Sequence, residues 1–392
     1  MGEIGAGQTA RHKSSNPMRV IYFSKDYTTH DWRYLDKLAQ TSHQVWYLRL
    51  EKGLVELERR PIPQGIRLIA WAGGQGPAQG LVNQLRLFPG LCQVLRRIKP
   101  DLIHAGPIQS CGFLSALTGF RPVLLMSWGS DILINAERNP LWRWVTRFTL
   151  RHAGIIVGDC RAVREKVHQL VDYPDDRIVS YPWGIDLETF KPGPSRLALR
   201  QQLGWQDKRV IIFTRSWEPL YGIDVLLEAF AKTVRQLSDA RLLLIGYGSL
   251  ASNVHRFIEE NGLSQFVHLS GQVPHEQVVD YFNMADVYVS STYSDGTSIS
   301  LLEAMACALP VVVSDIPGNR EWITPGINGW LAKPADASSL SSALLQALGN
   351  AASWAQMGEA NLAIARERAD WNKNFRVLLN TYEQLATARQ HG

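Results

Sequence analysis

The residues with the clearest chemical pattern form the stretch 295–303, which reads Asp-Gly-Thr-Ser-Ile-Ser-Leu-Leu-Glu. Small and hydroxyl residues open this stretch and apolar residues follow, so we expect a helix that begins near Ser298 and ends before Pro310. The unpaired N–H groups and the positive dipole end of such a helix favour a phosphate group. Asp295 then lies on one side of the phosphate, and Glu303 lies about one turn further along. This arrangement matches a nucleotide diphosphate sugar, which offers sugar hydroxyls, a diphosphate and a ribose diol.

A second interpretation of Glu303 stays open. Ser300 and Glu303 also match a helix capping box, in which the glutamate binds only the backbone at the start of its own helix. Against it, Glu303 is the only charged residue between Gly296 and Ser314. We expect this stretch to be core, where a carboxylate needs a specific partner.

The composition describes a folded protein with room for two domains. The chain has 392 residues, of which 45% are hydrophobic and 20% charged, and this excludes an intrinsically disordered chain. Its four cysteines are scattered without a CxxC pair or a His/Cys cluster of the metal-binding type, which favours a reduced cytosolic setting. The formal net charge of +5 is too mild to indicate nucleic acid, and we expect no nucleic-acid partner.

Two segments bear on localisation. Residues 1–17 are polar and lack the apolar core of a signal peptide, so we expect a disordered tail and a cytoplasmic protein. Residues 141–151 mix Trp, Phe and Arg at helical spacing, which is compatible with a helix at an anionic membrane surface. The alternative is an amphipathic helix that packs on its own domain with solvated arginines. We therefore expect a cytoplasmic protein and keep open a peripheral position at the inner face of the membrane.

Apolar strand patterns alternate with helical patterns along the chain, which is typical of parallel sheets covered by helices. We predict strands in two series, at 19–23, 43–48, 67–71, 101–104, 123–126 and 154–157, and then at 209–213, 242–245, 267–269, 287–290 and 311–313. The fold class that follows is α/β, with two Rossmann-like doubly wound domains facing a cleft. Ligands of such open sheets bind at the carboxyl ends of the strands.

The dense Pro and Gly residues of 181–194 mark the junction between the two domains. We place an N-terminal domain at 18–183 and a C-terminal domain at 184–370. Residues 371–392 are predicted to form a last helix that crosses back to the N-terminal domain.

A known family pattern surrounds Glu303. The chain continues with Ala-Met-Ala and then Pro-Val-Val from Pro310, and residues 317–329 add Pro-Gly, Glu321 and Gly-Ile-Asn-Gly. In this composite the protein resembles the retaining glycosyltransferases of the GT-B fold, specifically the large group-one family, glycosyltransferase family four. The resemblance extends from about Val20 to Leu385 and is strongest at 286–331.

The resemblance implies three catalytic residues. Asp295 would hold hydroxyls of the donor sugar, Glu303 the ribose diol, and Arg215 would neutralise the leaving diphosphate. An arginine suits that task because its fork binds phosphate oxygens and keeps its charge. Without the resemblance, Arg215 is a surface arginine after a strand. The donor would also contact the backbone of Gly296, Thr297, Ser298 and Ile299.

Three departures from the family pattern concern the donor side. Asp295 stands where the family usually has Glu, and Ala308 stands where it usually has Gly. Tyr221 stands where the family has a lysine, in a segment one residue longer than usual. One positive partner of the diphosphate is therefore missing, and either another basic residue replaces it or the donor is held with less positive charge.

The acceptor side is assigned to the N-terminal domain by the same resemblance. It implies His104, at a strand end, and the segment with Trp128 and Asp131, in which Trp128 replaces a family histidine. A hydrogen-bonded structural role for His104 is the alternative. The partners implied are a nucleotide-sugar donor and a glycan or lipid-linked acceptor. We expect no metal and no cofactor, since no Asp-x-Asp stands at a strand end.

We therefore predict a glycosyltransferase, of the hexosyltransferase kind, that moves a sugar from a nucleotide diphosphate sugar to a hydroxyl acceptor with retention. Its context would be glycan, polysaccharide or glycolipid synthesis. Two alternatives stay open: an epimerase or phosphorylase on the same plan, and a nucleotide-sugar-binding protein without activity, because the lysine is lost. The sequence leaves the base, the sugar, the acceptor and the oligomeric state undetermined.

Overall fold

A computed structural model describes residues 17–53, 58–78, 80–194 and 197–390. Apart from Pro17, the predicted tail lies outside the described residues. The chain divides into two compact units. The first comprises the described residues up to Gly158, then Val163–Tyr181 and those from Phe375 onward, and the second comprises Asp159–Ala162 and Pro182–Asn374.

In its described part, the first unit contains a seven-stranded sheet, built where runs of Val, Ile, Leu and Tyr favour buried strands. The strands are β1 (Arg19–Ser24), β2 (Gln44–Arg49), β3 (Ile66–Leu68), β4 (Leu102–Ala105), β5 (Val123–Met126), β6 (Ile155–Gly158) and β7 (Ile178–Ser180). The helices are α1 (Thr29–Ala39), α2 (Leu81–Leu85), α3 (Phe88–Ile98), α4 (Phe113–Leu117), α5 (Ser130–Leu133), α6 (Pro140–His152) and α7 (Arg161–Leu170). All pairs are parallel, in the order β3-β2-β1-β4-β5-β6-β7.

The second unit contains a parallel six-stranded sheet, again within the described residues. Its strands are β8 (Arg209–Phe213), β9 (Ala240–Ile245), β10 (Val267–Gly271), β11 (Val287–Ser290), β12 (Val311–Ser314) and β13 (Gly329–Ala332). Its helices are α8 (Leu197–Gln202), α9 (Ile223–Gln236), α10 (Ala251–Glu260), α11 (His275–Met284), α12 (Ile299–Ala306), α13 (Pro317–Arg320), α14 (Ala337–Gly349) and α15 (Trp354–Arg368). The strand order is β10-β9-β8-β11-β12-β13.

A last helix, α16 (Trp371–Gln390), begins in the second unit and continues in the first from Phe375. The hydrophobic core of the second unit packs on both faces of its sheet, so the strands are apolar on both sides.

The strand orders confirm the predicted fold class of two doubly wound α/β domains. β3 is shorter than predicted and ends at Leu68, and β7 and β13 were not predicted. Each sheet reverses its winding direction once, between β1 and β4 and between β8 and β11. Ligands of such sheets bind beside the carboxyl ends of the strands at this reversal.

Two general properties bear on the setting of the protein. None of the helices among the described residues is long and apolar enough to cross a membrane. Cys92, Cys111, Cys160 and Cys307 are all free thiols.

Candidate functional site

The candidate donor site lies at the reversal of the second sheet. β8 and β11 are hydrogen-bonded neighbours. Arg215 follows the last residue of β8 closely, and Asp295 lies in the loop between β11 and α12. The winding of the sheet thus brings together two side chains that are 80 positions apart in the sequence.

Arg215 is held by an acid and two hydroxyls. Its Nη2 donates to Oδ2 of Asp295 over 2.7 Å, and its Nη1 donates to Oγ of Ser298 over 3.1 Å and to Oγ of Ser300 over 3.5 Å. The side chains of Arg215 and Asp295 are only 13% and 19% exposed, so the ion pair is largely shielded from water. Nε of Arg215 is buried and has no hydrogen-bond partner among the described residues. The guanidinium is therefore fixed in orientation and keeps one donor unused.

The aromatic ring of Tyr221 covers the same guanidinium. The Cζ atom of Arg215 lies 4.2 Å from the ring centroid, which is within the range of a cation–π contact. Burial by itself would lower the pKa of Arg215, but the negative charge of Asp295 holds it above its usual value. The residue found where the family has a lysine thus supports the arginine instead of adding a second charge.

Helix α12 begins where the sequence predicts. Ser298 is its N-cap, with its Oγ accepting a hydrogen bond of 3.4 Å from the amide of Leu301. The amides of Ser298, Ile299 and Ser300 make no hydrogen bond to another described residue. These amides, at the positive end of the helix dipole, suit an anionic ligand.

Two other amides in the predicted donor loop are already engaged. The amide of Gly296 donates to Oδ1 of Asp295 over 3.0 Å, and that of Thr297 donates to Oδ2 of Asp159 over 2.7 Å. The hydroxyl of Thr297 also donates to the main-chain oxygen of Asp159 over 2.6 Å. The amides left available to an anion are therefore those of Ser298 and Ile299, which the sequence analysis includes, and that of Ser300, which it does not.

Asp159 is a site residue that sequence reasoning missed. It is 4% exposed, and its Oδ1 is buried without a hydrogen-bond partner in the described part of the chain. Burial raises its pKa to about 7, and the charge of Asp295 adds to the rise. A Cβ atom on Gly296 would come within 2.3 Å of the Asp159 carboxylate. Gly296 is therefore required because Asp159 packs against the loop. The sequence signal that could have identified it is an acidic residue directly after the buried strand β6.

Glu303 lies within α12 and is 4% exposed. Its Oε1 is 2.7 Å from Nε2 of His275, the first residue of α11. The capping-box interpretation of Glu303 is wrong, because Ser298 caps the helix and the carboxylate pairs with His275. His275 was not predicted. Its ring also packs against Phe190, with centroids 5.1 Å apart, so the imidazole is held on two sides.

The loop after β9 approaches the donor site closely. A Cβ atom on Gly246 would lie 2.8 Å from the main-chain oxygen of Arg215, and one on Gly248 would lie 2.4 Å from that of Trp217. Tyr247, between them, is 59% exposed. The two glycines thus let this loop pack against the backbone that carries Arg215. The sequence signal was the Gly-Tyr-Gly triplet after a strand.

His104, predicted on the acceptor side, lies inside the first unit and is fully buried. Its Nδ1 is 2.6 Å from the hydroxyl of Tyr382, and its Nε2 is 3.3 Å from Sδ of Met126. Burial lowers its pKa to about 3. The structural alternative fits this geometry, because both ring nitrogens are occupied within the core.

Asp131 and Trp128 have different surroundings. Asp131 is 4% exposed, and its oxygens accept hydrogen bonds from the amides of Ile108 and Trp128 and from the hydroxyl of Ser127. Asp131 therefore organises the loop. Trp128 lines a cavity, and its Nε1 is buried and has no hydrogen-bond partner within the described ranges.

No cluster of three or more His, Cys, Asp or Glu side chains suited to a metal ion occurs among the described residues.

Comparison with known proteins gives two family models that together match most of the chain. The model for glycosyl transferases group 1 matches residues 195–364, and the model for glycosyl transferase 4-like proteins matches residues 19–159. The first match contains Arg215, Asp295 and Glu303.

Curated relatives carry the names of glycosyltransferases. A GDP-mannose-dependent alpha-(1-6)-phosphatidylinositol monomannoside mannosyltransferase of Mycolicibacterium smegmatis is 24% identical, over 91% of this chain and 94% of the relative. The amylovoran biosynthesis glycosyltransferase AmsK of Erwinia amylovora is 32% identical, over 54% of this chain and 52% of the relative. The chain thus spans nearly all of the first relative and about half of the second.

Solved structures agree in fold. A sucrose-phosphate synthase from Thermosynechococcus elongatus superposes with a TM-score of 0.80 at 19% identity, covering 94% of this chain and 100% of that one. HepE of Anabaena, solved with UDP and glucose, has a TM-score of 0.77 at 21% identity, covering 94% and 100%. The chain belongs to the group 1 glycosyltransferases and is a glycosyltransferase of the GT-B fold.

Proposed function

We propose that the protein transfers a sugar from a nucleotide diphosphate sugar to a hydroxyl acceptor with retention of configuration at the anomeric carbon. The observation that carries the proposal is the position of Arg215, fixed between Asp295 and Ser298 at the start of α12. Glu303, five residues further along the same helix, is held by His275. One helix thus presents an anion site at its start and a buried carboxylate about 7 Å away along its axis.

The anion site suits the leaving group of the reaction. Negative charge grows on the diphosphate as the bond to the sugar breaks, and fixed donors that face this charge lower the barrier. The amides of Ser298, Ile299 and Ser300 and the unused Nε of Arg215 are such donors. They need little reorganisation because the hydroxyls of two serines already orient the guanidinium.

The two acids would serve opposite ends of the donor. Asp295, beside Arg215, would accept hydrogen bonds from sugar hydroxyls. Glu303 would accept them from the ribose diol, while its contact with His275 keeps the carboxylate in place. Retention would follow from attack on the face of the leaving group, whose phosphate oxygen takes the acceptor proton. This step rests on the family resemblance.

Relatives suggest the substrates to test first. The Mycolicibacterium smegmatis enzyme is named for GDP-mannose and a phosphatidylinositol mannoside, and a fold neighbour was solved with UDP and glucose. We propose a glycolipid or polysaccharide acceptor for this chain. GDP-mannose and UDP-glucose are the first donors to compare.

The test is a donor screen followed by transfer. Thermal shift with uridine, guanosine and adenosine diphosphate sugars identifies the base, and the best donor is then incubated with inositol-lipid and glycan acceptors. NMR of the product should show the same anomeric configuration as the donor. An inverted product would refute retention. Donor binding without transfer or hydrolysis, across a broad acceptor set, would favour a binding protein without activity.

We also propose that helix α6 contacts an anionic lipid surface. One face of α6 packs on its own unit through Val145 and Leu150, both fully buried. The other face forms a groove of about 540 Å³, lined by Pro140, Arg143, Trp144, Arg147, Phe148, Arg151 and His152. Its three arginines make no ion pair with a described residue, and none of the described residues that line the groove is acidic.

Apolar side chains accompany these charges. Trp144 and Leu141 are each 55% exposed, and Trp144 stacks on Phe148 with centroids 5.5 Å apart. Basic side chains beside exposed aromatic ones suit an interface with acidic phospholipids. At about 1 kcal/mol for each basic residue near the surface, three arginines provide an affinity gain of roughly 100-fold.

Flotation with vesicles tests this contact. The protein should bind phosphatidylcholine vesicles that contain phosphatidylserine, and it should bind vesicles of phosphatidylcholine alone much less. Replacing Arg143, Arg147 and Arg151 by Ala should abolish the preference, whereas replacing Arg96 and Arg97 of α3 should not. Equal binding of both variants would refute the assignment to α6.

A further inference from the structure

A polar cavity of about 220 Å³ lies at the reversal of the first sheet. Its lining includes Lys25, which directly follows β1, Ser110, which follows β4, and Trp128, which follows β5. β1 and β4 are the neighbouring strands at which the winding changes direction. This is the position at which open parallel sheets bind ligands. The residues Ile108–Gly112, which carry Ser110, form a π-helical turn, an irregularity that is frequent at functional sites.

Three buried polar atoms of this lining have no hydrogen-bond partner among the residues that the structure describes. They are Oγ of Ser110, Oε1 of Gln84 and Nε1 of Trp128. Ser110 is 7% exposed and Gln84 is 5% exposed. Leaving such groups unpaired is costly, and most buried polar atoms in proteins are paired. Together they provide donors and an acceptor for the hydroxyl groups of a ligand.

The described residues that line the cavity carry two cationic side chains and one acidic side chain. Lys25 and Arg138 both line it. Arg138 is exposed and makes no ion pair with a described residue, while Lys25 lies 3.3 Å from Oε1 of Glu51 and is 48% exposed. Among the described residues of the lining, the one acid is Asp131, whose oxygens are occupied by two amides and the Ser127 hydroxyl. The cavity therefore favours a ligand with negative charge.

We propose that this cavity binds a phosphorylated polyol or monosaccharide, either free or as the headgroup of a glycolipid, as the acceptor, which rests on the transferase function proposed above. Lys25 and Arg138 would bind the phosphate, and Ser110, Gln84 and Trp128 would bind hydroxyl groups. The volume is below the roughly 300 to 1,000 Å³ of sites for drug-sized ligands, so it fits a single ring. An uncharged acceptor would leave the two cations without a partner in the ligand.

The experiment measures binding to the purified full-length protein by calorimetry, with myo-inositol 1-phosphate, myo-inositol and inorganic phosphate as probes. We expect inositol phosphate to bind at least tenfold more tightly than either of the others. Arg138→Ala should weaken its binding about tenfold or more, as for a lost charge-assisted contact, and Arg138→Lys should restore part of it. Arg97→Ala, on α3 and outside this lining, is the matched control.

Further arms separate the source of the phosphate. Vesicles that contain phosphatidylinositol, compared with free inositol phosphate, show whether the ligand is a lipid headgroup or a free polyol phosphate. Ser110→Ala should weaken the binding of both inositol phosphate and the phosphatidylinositol vesicles. It should leave the binding of inorganic phosphate unchanged. Equal affinity for inositol and inositol phosphate would overturn the proposal. So would unchanged binding in Arg138→Ala or equal losses in Arg97→Ala.

The two proposals fail in different ways. The affinity for the nucleotide-sugar donor should be the same in Arg138→Ala as in the natural protein. Unchanged donor affinity also shows that the variant is folded. If the phosphorylated polyol binds as expected but no sugar is transferred to it or to other acceptors, the transferase proposal fails. If transfer occurs to an uncharged acceptor and is insensitive to Arg138→Ala, the cavity assignment fails.

Discussion

The ring of Tyr221 stacks on the guanidinium of Arg215 at 4.2 Å, in the position where the family places a lysine. The stack orients Arg215 without adding charge, so in the proposed mechanism the donor diphosphate would meet one guanidinium and a set of amides. A desolvated cation–π contact stabilises by about 1 to 2 kcal/mol. We therefore expect Tyr221→Leu to lower kcat by about 5- to 30-fold.

Steady-state kinetics on the identified donor check this prediction. Tyr221→Phe keeps the ring and should retain most of the rate, which separates the stack from any role of the hydroxyl. Equal losses in the Leu and Phe variants would contradict the role of the ring.

Arg215 itself should matter for turnover more than for folding. In the proposed mechanism its charge would face the growing charge of the leaving group, and removing one such donor typically costs about 100- to 1,000-fold in kcat. We expect Arg215→Ala to lose activity on this scale and Arg215→Lys to lose less, because it keeps a charge without the fork. Circular dichroism should show both variants folded at the assay temperature, although Arg215→Ala should melt at a lower temperature because it leaves the shielded Asp295 without its partner. A normal kcat for Arg215→Ala would exclude it from the mechanism.

Glu303 and His275 should act together on the ribose. Glu303→Gln should weaken donor binding by about 1 to 3 kcal/mol, as expected for a lost charge-assisted hydrogen bond. A 2′-deoxy analogue of the nucleotide diphosphate tests the contact directly. It should bind the natural protein more weakly than the ribose form, while Glu303→Gln should bind the two forms about equally.

His275→Ala is the companion variant, because it leaves Glu303 buried without its partner. Like Glu303→Gln, it should bind the ribose form and the 2′-deoxy form with more similar affinities than the natural protein does. Full discrimination in Glu303→Gln, with only a lower melting temperature, would restrict Glu303 to a structural role.

The predictable features were those encoded in contiguous residues. Apolar runs gave the strand at 311–313, and the change from small to apolar residues gave the start of α12 at Ser298. β7 was missed because it ends directly before the Pro- and Gly-rich junction, and β13 was missed because it begins with Gly329, so neither shows a clear apolar run. Short strands of this kind form because neighbouring strands pair with them.

The site contacts that escaped prediction join residues distant in sequence. Asp159 lies 138 positions from Thr297, and His275 lies 28 positions from Glu303. No local spacing specifies such pairs, since only the winding of the sheet brings their elements together. Tyr221 was noticed as a departure, but its stacking on Arg215 could not be inferred from the missing lysine.

Asp159 provides a prediction for the pH dependence of stability. Burial raises its pKa to about 7 in the folded state, against about 3.9 in an unfolded chain. Between these values the folded protein holds a proton that the unfolded chain has lost. The contribution of Asp159 is therefore fully present below about pH 4 and is lost as the pH rises through about 7, at up to roughly 1.4 kcal/mol per pH unit.

Urea unfolding of the natural protein and Asp159→Asn, from pH 4 to 8, isolates this contribution. Asparagine keeps an acceptor for the amide of Thr297 but cannot ionise. The free energy of unfolding of the natural protein, minus that of the variant, should therefore fall as the pH rises toward 7 and then level off. His104, whose lowered pKa gives the opposite slope, is present in both proteins and cancels in the difference. If the free energies of unfolding of the two proteins change with pH in parallel, the pKa of Asp159 is the same in the folded and unfolded states. That result would contradict the raised pKa.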